Sequence, residues 1–232
     1  MELRQLSTET ELNIFMARLE NARTTNAAFR ENRKLQVLNR QRLESSRLYG
    51  LFESEIAPAD TMVAGIAMHD LKSFPQSCSE PDLSQFPAQT VVECSDHWSL
   101  SNGTGMFAWA GLAMPMRLAG IKAVLAYLAA DNTVAEHARF YALMGFVPAG
   151  RVVQHPFVEY ASGEKFPVLP VLLQGEAFEN VVNAFSKACI GYSEDGRVFH
   201  LKSGIRHLVR NASTRCGPFY AHRLTRAFKR AA

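Results

Sequence analysis

The sequence predicts an α/β (α+β) fold: a mixed, mostly antiparallel central sheet flanked by helices on both faces. Three observations predict it. Between Val91 and Phe146, apolar strand-like runs alternate with helical runs around a glycine-rich turn. Before that stretch, two short apolar runs flank the turn-rich Ala57-Pro58-Ala59-Asp60. After it, two more flank Ser162-Gly163. Antiparallel neighbours on either side of a right-handed strand–helix–strand crossover make a mixed sheet with helices on both faces.

Thr8 to about Asn39 has apolar residues at Leu12, Phe15, Leu19, Phe29, Leu35 and Leu38 with many charges between, which predicts one or two surface helices capped by Ser7 or Thr8. Ser46–Glu53 and Thr61–His69 are predicted strands. Lys72–Gln89 is rich in Pro and Ser and is predicted as a loop. Val91-Val92-Glu93-Cys94-Ser95 is the next strand, running into Ser101-Asn102-Gly103-Thr104-Gly105-Met106. Met106–Met116 is too short to span a membrane, which needs about 20 apolar residues, and reads as a buried helix that Pro115 kinks or ends. Ala123–Leu128 is a strand and Ala138–Phe146 a helical run. Val152–Tyr160 and Val168–Leu173 form a hairpin, and Glu176–Ala188 is a last helix.

A chain of 232 residues can bury a sizeable core. The four cysteines, Cys78, Cys94, Cys189 and Cys216, are scattered without a C-x-x-C pair, which argues against zinc or a disulfide framework. That usage suits a reducing compartment, and the first residues do not read as a secretory signal, so the expected location is the cytoplasm. The net charge of +3 hides an asymmetry: Arg197–Ala232 holds nine Lys or Arg and no Asp or Glu, so the rest is net acidic. The expected organisation is a domain over 1–190 and a basic C-terminal extension over 191–232. Such a segment suits an acidic partner; a solubilising tail is the plainer reading.

The glycine turn carries the first chemical expectation. A turn that opens a helix after a strand presents unpaired N–H groups at the positive end of the helix dipole, a place to hold phosphate. Three segments resemble the GCN5-related N-acyltransferases. Gly103-Thr104-Gly105 matches that family's Gly-x-Gly turn, with Leu100 standing where Arg or Gln is usual. Asn132 follows the next strand. Phe140-Tyr141 precedes Gly145-Phe146, matching an aromatic, three residues, Gly-Phe pattern. The similarity covers roughly Ser46–Leu173. A narrower likeness, to the acyl-homoserine lactone synthases and N-acyl amino acid synthases, lies in Phe86-Pro87 followed by Glu93-Cys94-Ser95, where Asp96 and His97 replace Arg-Phe.

The resemblance implies the acyl-CoA N-acyltransferase fold and transfer of an acyl group from a thioester to an amine of a small molecule. The co-substrate would be acyl-CoA or acyl-phosphopantetheine, with no metal. Its phosphates would lie on Leu100, Ser101, Asn102, Gly103, Thr104, Gly105 and Met106, with Asn132 nearby; a plain glycine-rich helix start is the alternative. Glu93, in an apolar strand where desolvation favours its neutral form, is the first candidate base, against an ion-paired or edge Glu. Strand periodicity places Ser95 and His97 on the same face as Glu93, which makes His97 the rival base through one water, against a hydrogen-bonded core histidine. Tyr141 matches the family's general acid, against a tyrosine that only packs. Acyl carrier protein is the expected partner of the basic extension. The alternative function is a non-catalytic protein of this fold whose C-terminus binds nucleic acid or an acidic protein.

Overall fold

The computed structural model describes residues 1–25, 35–37, 40–54, 57–73, 76–100, 104–130, 141–142, 144–160 and 162–202. In chain order the elements are β1 (Glu2–Gln5), α1 (Glu9–Thr25), β2 (Leu35–Val37), α2 (Arg40–Glu44), β3 (Arg47–Phe52), β4 (Ala64–Asp70) and β5 (Val91–Ser99). Then come α3 (Thr104–Gly111), α4 (Ala113–Leu118), β6 (Ala123–Ala129), β7 (Val147–Pro148), β8 (Val153–Tyr160) and β9 (Lys165–Gln174). The last are α5 (Gly175–Ser186), β10 (Cys189–Tyr192) and β11 (Val198–Leu201). The strands join in one sheet of order β10-β11-β1-β3-β4-β5-β6-β9-β8-β2, with β7 also on β9. β5 and β6 run parallel and the other described pairs antiparallel. The mixed, mostly antiparallel sheet with helices on both faces is therefore present as the sequence predicts.

Local chemistry explains the helix boundaries. Thr8 Oγ1 accepts the Glu11 N–H at 3.2 Å, while the Glu11 carboxylate accepts the Ser7 and Thr8 N–H groups at 2.9 and 3.0 Å. This reciprocal box satisfies donors that the first turn of α1 cannot satisfy internally. The buried run expected over Met106–Met116 is two helices, broken at Leu112. Proline lacks an N–H and crowds the carbonyl four residues back; for Pro115 that residue is Gly111, where α3 stops. α5 buries Phe178, Val181, Val182 and Phe185, a stripe at helical spacing.

The two faces of the sheet bury different partners. On one, Val92, Cys94, Val124, Ala126, Val171 and Leu173 pack with α3, α4 and α5. On the other, Phe15 and Leu19 of α1 and Leu43 of α2 pack on Leu48, Phe52, Ala67 and Trp98. The segment after β4 covers the rest of that face with Leu71, Leu83 and Phe86. Two expectations are corrected. Leu35–Val37 is a strand on β8 rather than part of a helix, since tertiary pairing outweighs the local pattern. The boundary at residue 190 falls inside the sheet: β11 pairs with β1, and Phe199 and Leu201 are buried in the main core.

Candidate active site

The site grows out of a disagreement between two neighbouring strands. β5 and β6 pair over only three positions, Val91–Glu93 against Ala123–Leu125. Beyond Glu93, β5 stays with β4 as far as Ser99, while β6 stays with β9 as far as Ala129. The sheet therefore opens beyond Glu93. At the opening β5 bulges: Ala67 faces Ser95 and Gly65 faces Trp98, so two residues of β5, Asp96 and His97, oppose one of β4. Asp96 takes φ 51°, a left-handed conformation that Asp tolerates better than most residues. A bulge re-aims the side chains that follow it.

Before the bulge, Glu93 faces α2 and the loop after β4. It is fully buried and accepts from Arg42 Nη2 at 2.8 Å, from the Ser77 N–H at 2.7 Å and from the Ser77 hydroxyl. The Arg42 guanidinium also lies 5.1 Å from the centre of the Phe157 ring. Ser95 and Asp96 both turn to this face. The Ser95 hydroxyl lies 2.5 Å from Asp96 Oδ2, and Arg23 Nη2 lies 2.5 Å from Asp96 Oδ1. Arg23 arrives because Phe15, Leu19 and Arg23 recur every four residues along one stripe of α1. Burial alone would raise the Asp96 pKa; the Arg23 charge and bonds from His69 and Ser95 hold it well below the usual carboxylate range.

His69 of β4 sits fully buried beneath this group. Its Nε2 lies 2.6 Å from Ser95 Oγ and 3.9 Å from Asp96 Oδ2, and its Nδ1 meets Ser46 Oγ. Arg42, Ser77, Ser95, Asp96, His155 and Phe157 line a narrow cavity of about 10 Å³, room for about one water. Burial pushes the His155 pKa down to about 4, against the pull of Asp96 and Glu93, so the ring is neutral at pH 7. Cys78 is no nucleophile at neutral pH, since burial and nearby Glu93 push its thiol up to about 12. Burial raises the Cys94 thiol further. Among the described residues, no group of three His, Cys, Asp or Glu is placed to hold a metal ion. No described helix is long and apolar enough to cross a membrane.

After the bulge the opposite face takes over. His97 is not on the Glu93 face, because the extra residue reverses the alternation. It is exposed, its Nε2 lies 3.1 Å from the Gly105 carbonyl oxygen, and its ring stands edge-on to Trp109. A carbonyl oxygen only accepts, so His97 Nε2 donates this bond. A Cβ on Gly105 would lie 2.5 Å from the His97 ring, so this glycine makes room for the histidine as well as opening the helix. Trp109 also meets Tyr141 edge-on, at 5.7 Å between centroids, and Tyr141 packs on Phe146 at 5.0 Å. Burial, with Cys94 nearby, pushes the Tyr141 hydroxyl pKa up and keeps it protonated.

The structure thus brings His97 and Tyr141 to either side of one tryptophan and puts Glu93 across the sheet from them. Thr104, Gly105 and Met106 form the first turn of α3. Leu100 is exposed and donates its N–H to Val63 O at 2.9 Å. Ser101, Asn102, Gly103 and Asn132, expected on the phosphate cradle, lie outside the described residues, as does the segment from 203 to 232. Sequence reasoning missed Arg23, Arg42, Ser46, His69 and Ser77. A histidine followed by an aspartate at the end of a predicted strand, His69-Asp70, was the one local signal for any of them.

No family model matches the sequence, and no curated protein does. Solved structures do. The chain is similar to FeeM, an N-acyl amino acid synthase from uncultured soil microbes, at 14% identity over 75% of this chain and 91% of that one, with a TM-score of 0.54. A ribosomal-protein-alanine N-acetyltransferase from Brucella melitensis aligns at 16% identity over 75% and 99% of the two chains, TM-score 0.48. An N-acetyltransferase from Staphylococcus aureus Mu50 aligns at 13% over 75% and 98%, TM-score 0.45. With the opened β5–β6 pair and the helix that follows it, the FeeM alignment establishes that this chain has the fold of the GCN5-related N-acyltransferases.

Proposed function

We propose that this protein is an N-acyltransferase that moves an acyl group from a thioester to the amine of a small molecule. The observation that supports it best is the opening beyond Glu93, with the first turn of α3 at its end and His97 and Tyr141 flanking Trp109. The donor is acyl-CoA, or acyl-phosphopantetheine on an acyl carrier protein. Its phosphates would lie on the N–H groups from Asn102 to Met106, where the helix dipole favours negative charge, with Leu100, Ser101 and Asn132 at the rim. His97 Nδ1 accepts the proton of the attacking amine, and Tyr141 protonates the departing thiolate. Glu93, held by Arg42 and the two donors of Ser77, serves as base only through a water. The bulge leaves a residue outside the ladder, and its N–H is the natural donor to the thioester oxygen as charge develops there.

The test is calorimetric titration with CoA, acetyl-CoA and a long-chain acyl-CoA, then a screen of amines, amino acids first, by thiol release. Micromolar binding and amine-dependent release support the reading; no binding of any thioester sinks it. Removing a general base costs about 10²–10⁴-fold in turnover. His97→Gln is expected to show that loss with binding kept, and Glu93→Gln to stay within about tenfold. The reverse pattern moves the base to Glu93. The cation-rich run from Arg197 to Arg230 favours the carrier-protein donor, whose binding would weaken with salt and on removing residues 206–232. Tight, salt-sensitive RNA binding without thioester binding would favour a non-catalytic role instead.

A further inference from the structure

A second recess lies at the end of the sheet away from the opening beyond Glu93. There the Lys122 N–H donates to Thr90 O at 2.7 Å, just before β5 and β6 begin to pair. The end of α4, the start of β6 and the first half of α5 enclose it. Its volume is about 240 Å³, whereas packed elements leave few voids larger than a water. The floor is apolar and shielded from solvent: Ile121, Phe178 and Val182 are 3%, 2% and 5% exposed. The rim is charged. Lys122 Nζ lies 3.4 Å from Glu179 Oε1, so those two charges answer each other. Arg117 is exposed at the same rim, and among the described residues its side chain has neither an ion pair nor a hydrogen bond. The Asn183 amide has no partner among them either. The carbonyls that end a helix repel anions, but here two of them are satisfied. Gly120, at φ 68°, turns the chain so that its N–H meets Arg117 O at 3.1 Å and the Ile121 N–H meets Met116 O at 3.0 Å.

We propose that this recess is a binding site for a small organic monocarboxylate with an apolar body. An apolar lining with a few placed polar groups is the usual make-up of a small-molecule site. The planar fork of Arg117 fits a carboxylate with two parallel bonds, and the Asn183 amide can donate to the same end. The body of the ligand would cover Ile121, Phe178 and Val182. A cavity of about 150 Å³ holds benzene, so this one admits a single ring with a short arm. Glu179 at the rim makes a dianion such as inorganic phosphate the poorer ligand, because like charge placed against a competitor is what rejects it. The site is separate from the candidate active site and stands whether or not the donor is a thioester.

The probe is 3-phenylpropionate, titrated into the full chain and followed by backbone amide NMR, with 3-phenylpropan-1-ol and acetate as controls. The expected result is a Kd below about 1 mM, with shifts at Ile121, Lys122, Val182 and Asn183 that excess CoA leaves unchanged. The alcohol, acetate and the Arg117→Gln variant are expected to bind or be bound about 10–100-fold more weakly, the worth of hydrogen bonds between charged partners. Val182→Trp, which fills the recess, should abolish binding. If that buried change disturbs the fold, the exposed Arg117→Gln decides alone. No saturation by about 5 mM overturns the site, as does an unchanged Kd in Arg117→Gln. Shifts that CoA abolishes place the ligand in the candidate active site and overturn it too. Equal affinity for the alcohol and the carboxylate overturns the assignment of an anion.

Discussion

The two faces of β5 solve opposite problems with neighbouring residues. Toward α1 and α2 the strand presents Glu93, Ser95 and Asp96, and each charge is matched: Arg42 on Glu93, Arg23 on Asp96. Toward α3 it presents Val92, Cys94 and then His97, with Trp109 and Tyr141 as neighbours. The first face is a place where charge is expensive to disturb. The second has one exposed titratable ring held by a carbonyl. Buried charge must be paired, and one bulged residue lets the same strand pair its charges on one face and turn His97 to the other.

The largest expected effect breaks the paired face. Arg42→Ala leaves the fully buried Glu93 uncompensated, and removing one partner of a buried ion pair costs about 3–5 kcal/mol. Urea unfolding should show it, and Arg42→Met with Glu93→Met should recover most of the loss. Equal destabilisation of the single and double variants would show that packing, rather than charge, governs this face.

The next concerns pH. His155 has a folded pKa of about 4 against 6.5 unfolded, so the unfolded chain binds more protons between those values. Stability should therefore fall as pH drops from about 6.5 to 4, by up to about 3 kcal/mol from this group. His155→Phe should flatten the slope in that window. Asp96, whose carboxyl is held low, acts in the same direction below about pH 4, as its bonds are lost on protonation. A wild-type melting temperature that is flat from pH 7 to 4.5 would contradict the His155 assignment.

On the other face the effects are smaller in stability and larger in function. Gly105→Ala puts a methyl group against the His97 ring, and overpacking costs about 1–3 kcal/mol. It should also displace His97, visible as a shifted imidazole NMR resonance, and lower turnover. Normal turnover with a displaced ring would remove His97 from the chemistry. Tyr141→Phe keeps the ring contacts with Trp109 and Phe146 and should change stability by less than about 1 kcal/mol, the net worth of one hydrogen bond, while slowing thiol release.

The same strand shows what a sequence discloses. Its existence, its antiparallel and parallel neighbours and the glycine-opened helix all follow from local runs and turn residues. The faces of its side chains do not follow beyond Ser95, because alternation assumes no bulge. The polar run Ser95-Asp96-His97, with an Asp able to adopt positive φ, was the only local sign of one. Glu93 was legible as unusual, but its partner lies 51 residues away in a five-residue helix with no apolar periodicity. His69 was legible as the end of a strand; its two serines come from other strands or their approaches and are met only when β3, β4 and β5 pair.

The first and last described strands touch. β1 lies between β3 and β11, and Leu201 N–H donates to Met1 O at 2.8 Å. On the ribosome β1 would therefore emerge before the other described strands and keep one edge open until β11 appears. Everything from β3 to β9 can pair before β11 appears, so this outer wing of the sheet is the part that closes last and the part where a nascent chain is most exposed to wrong neighbours. The same adjacency brings residues 1 and 201 within reach of a short linker. New termini could then be opened at the Gly163 turn, which would let the closing step be moved to the other side of the sheet and timed.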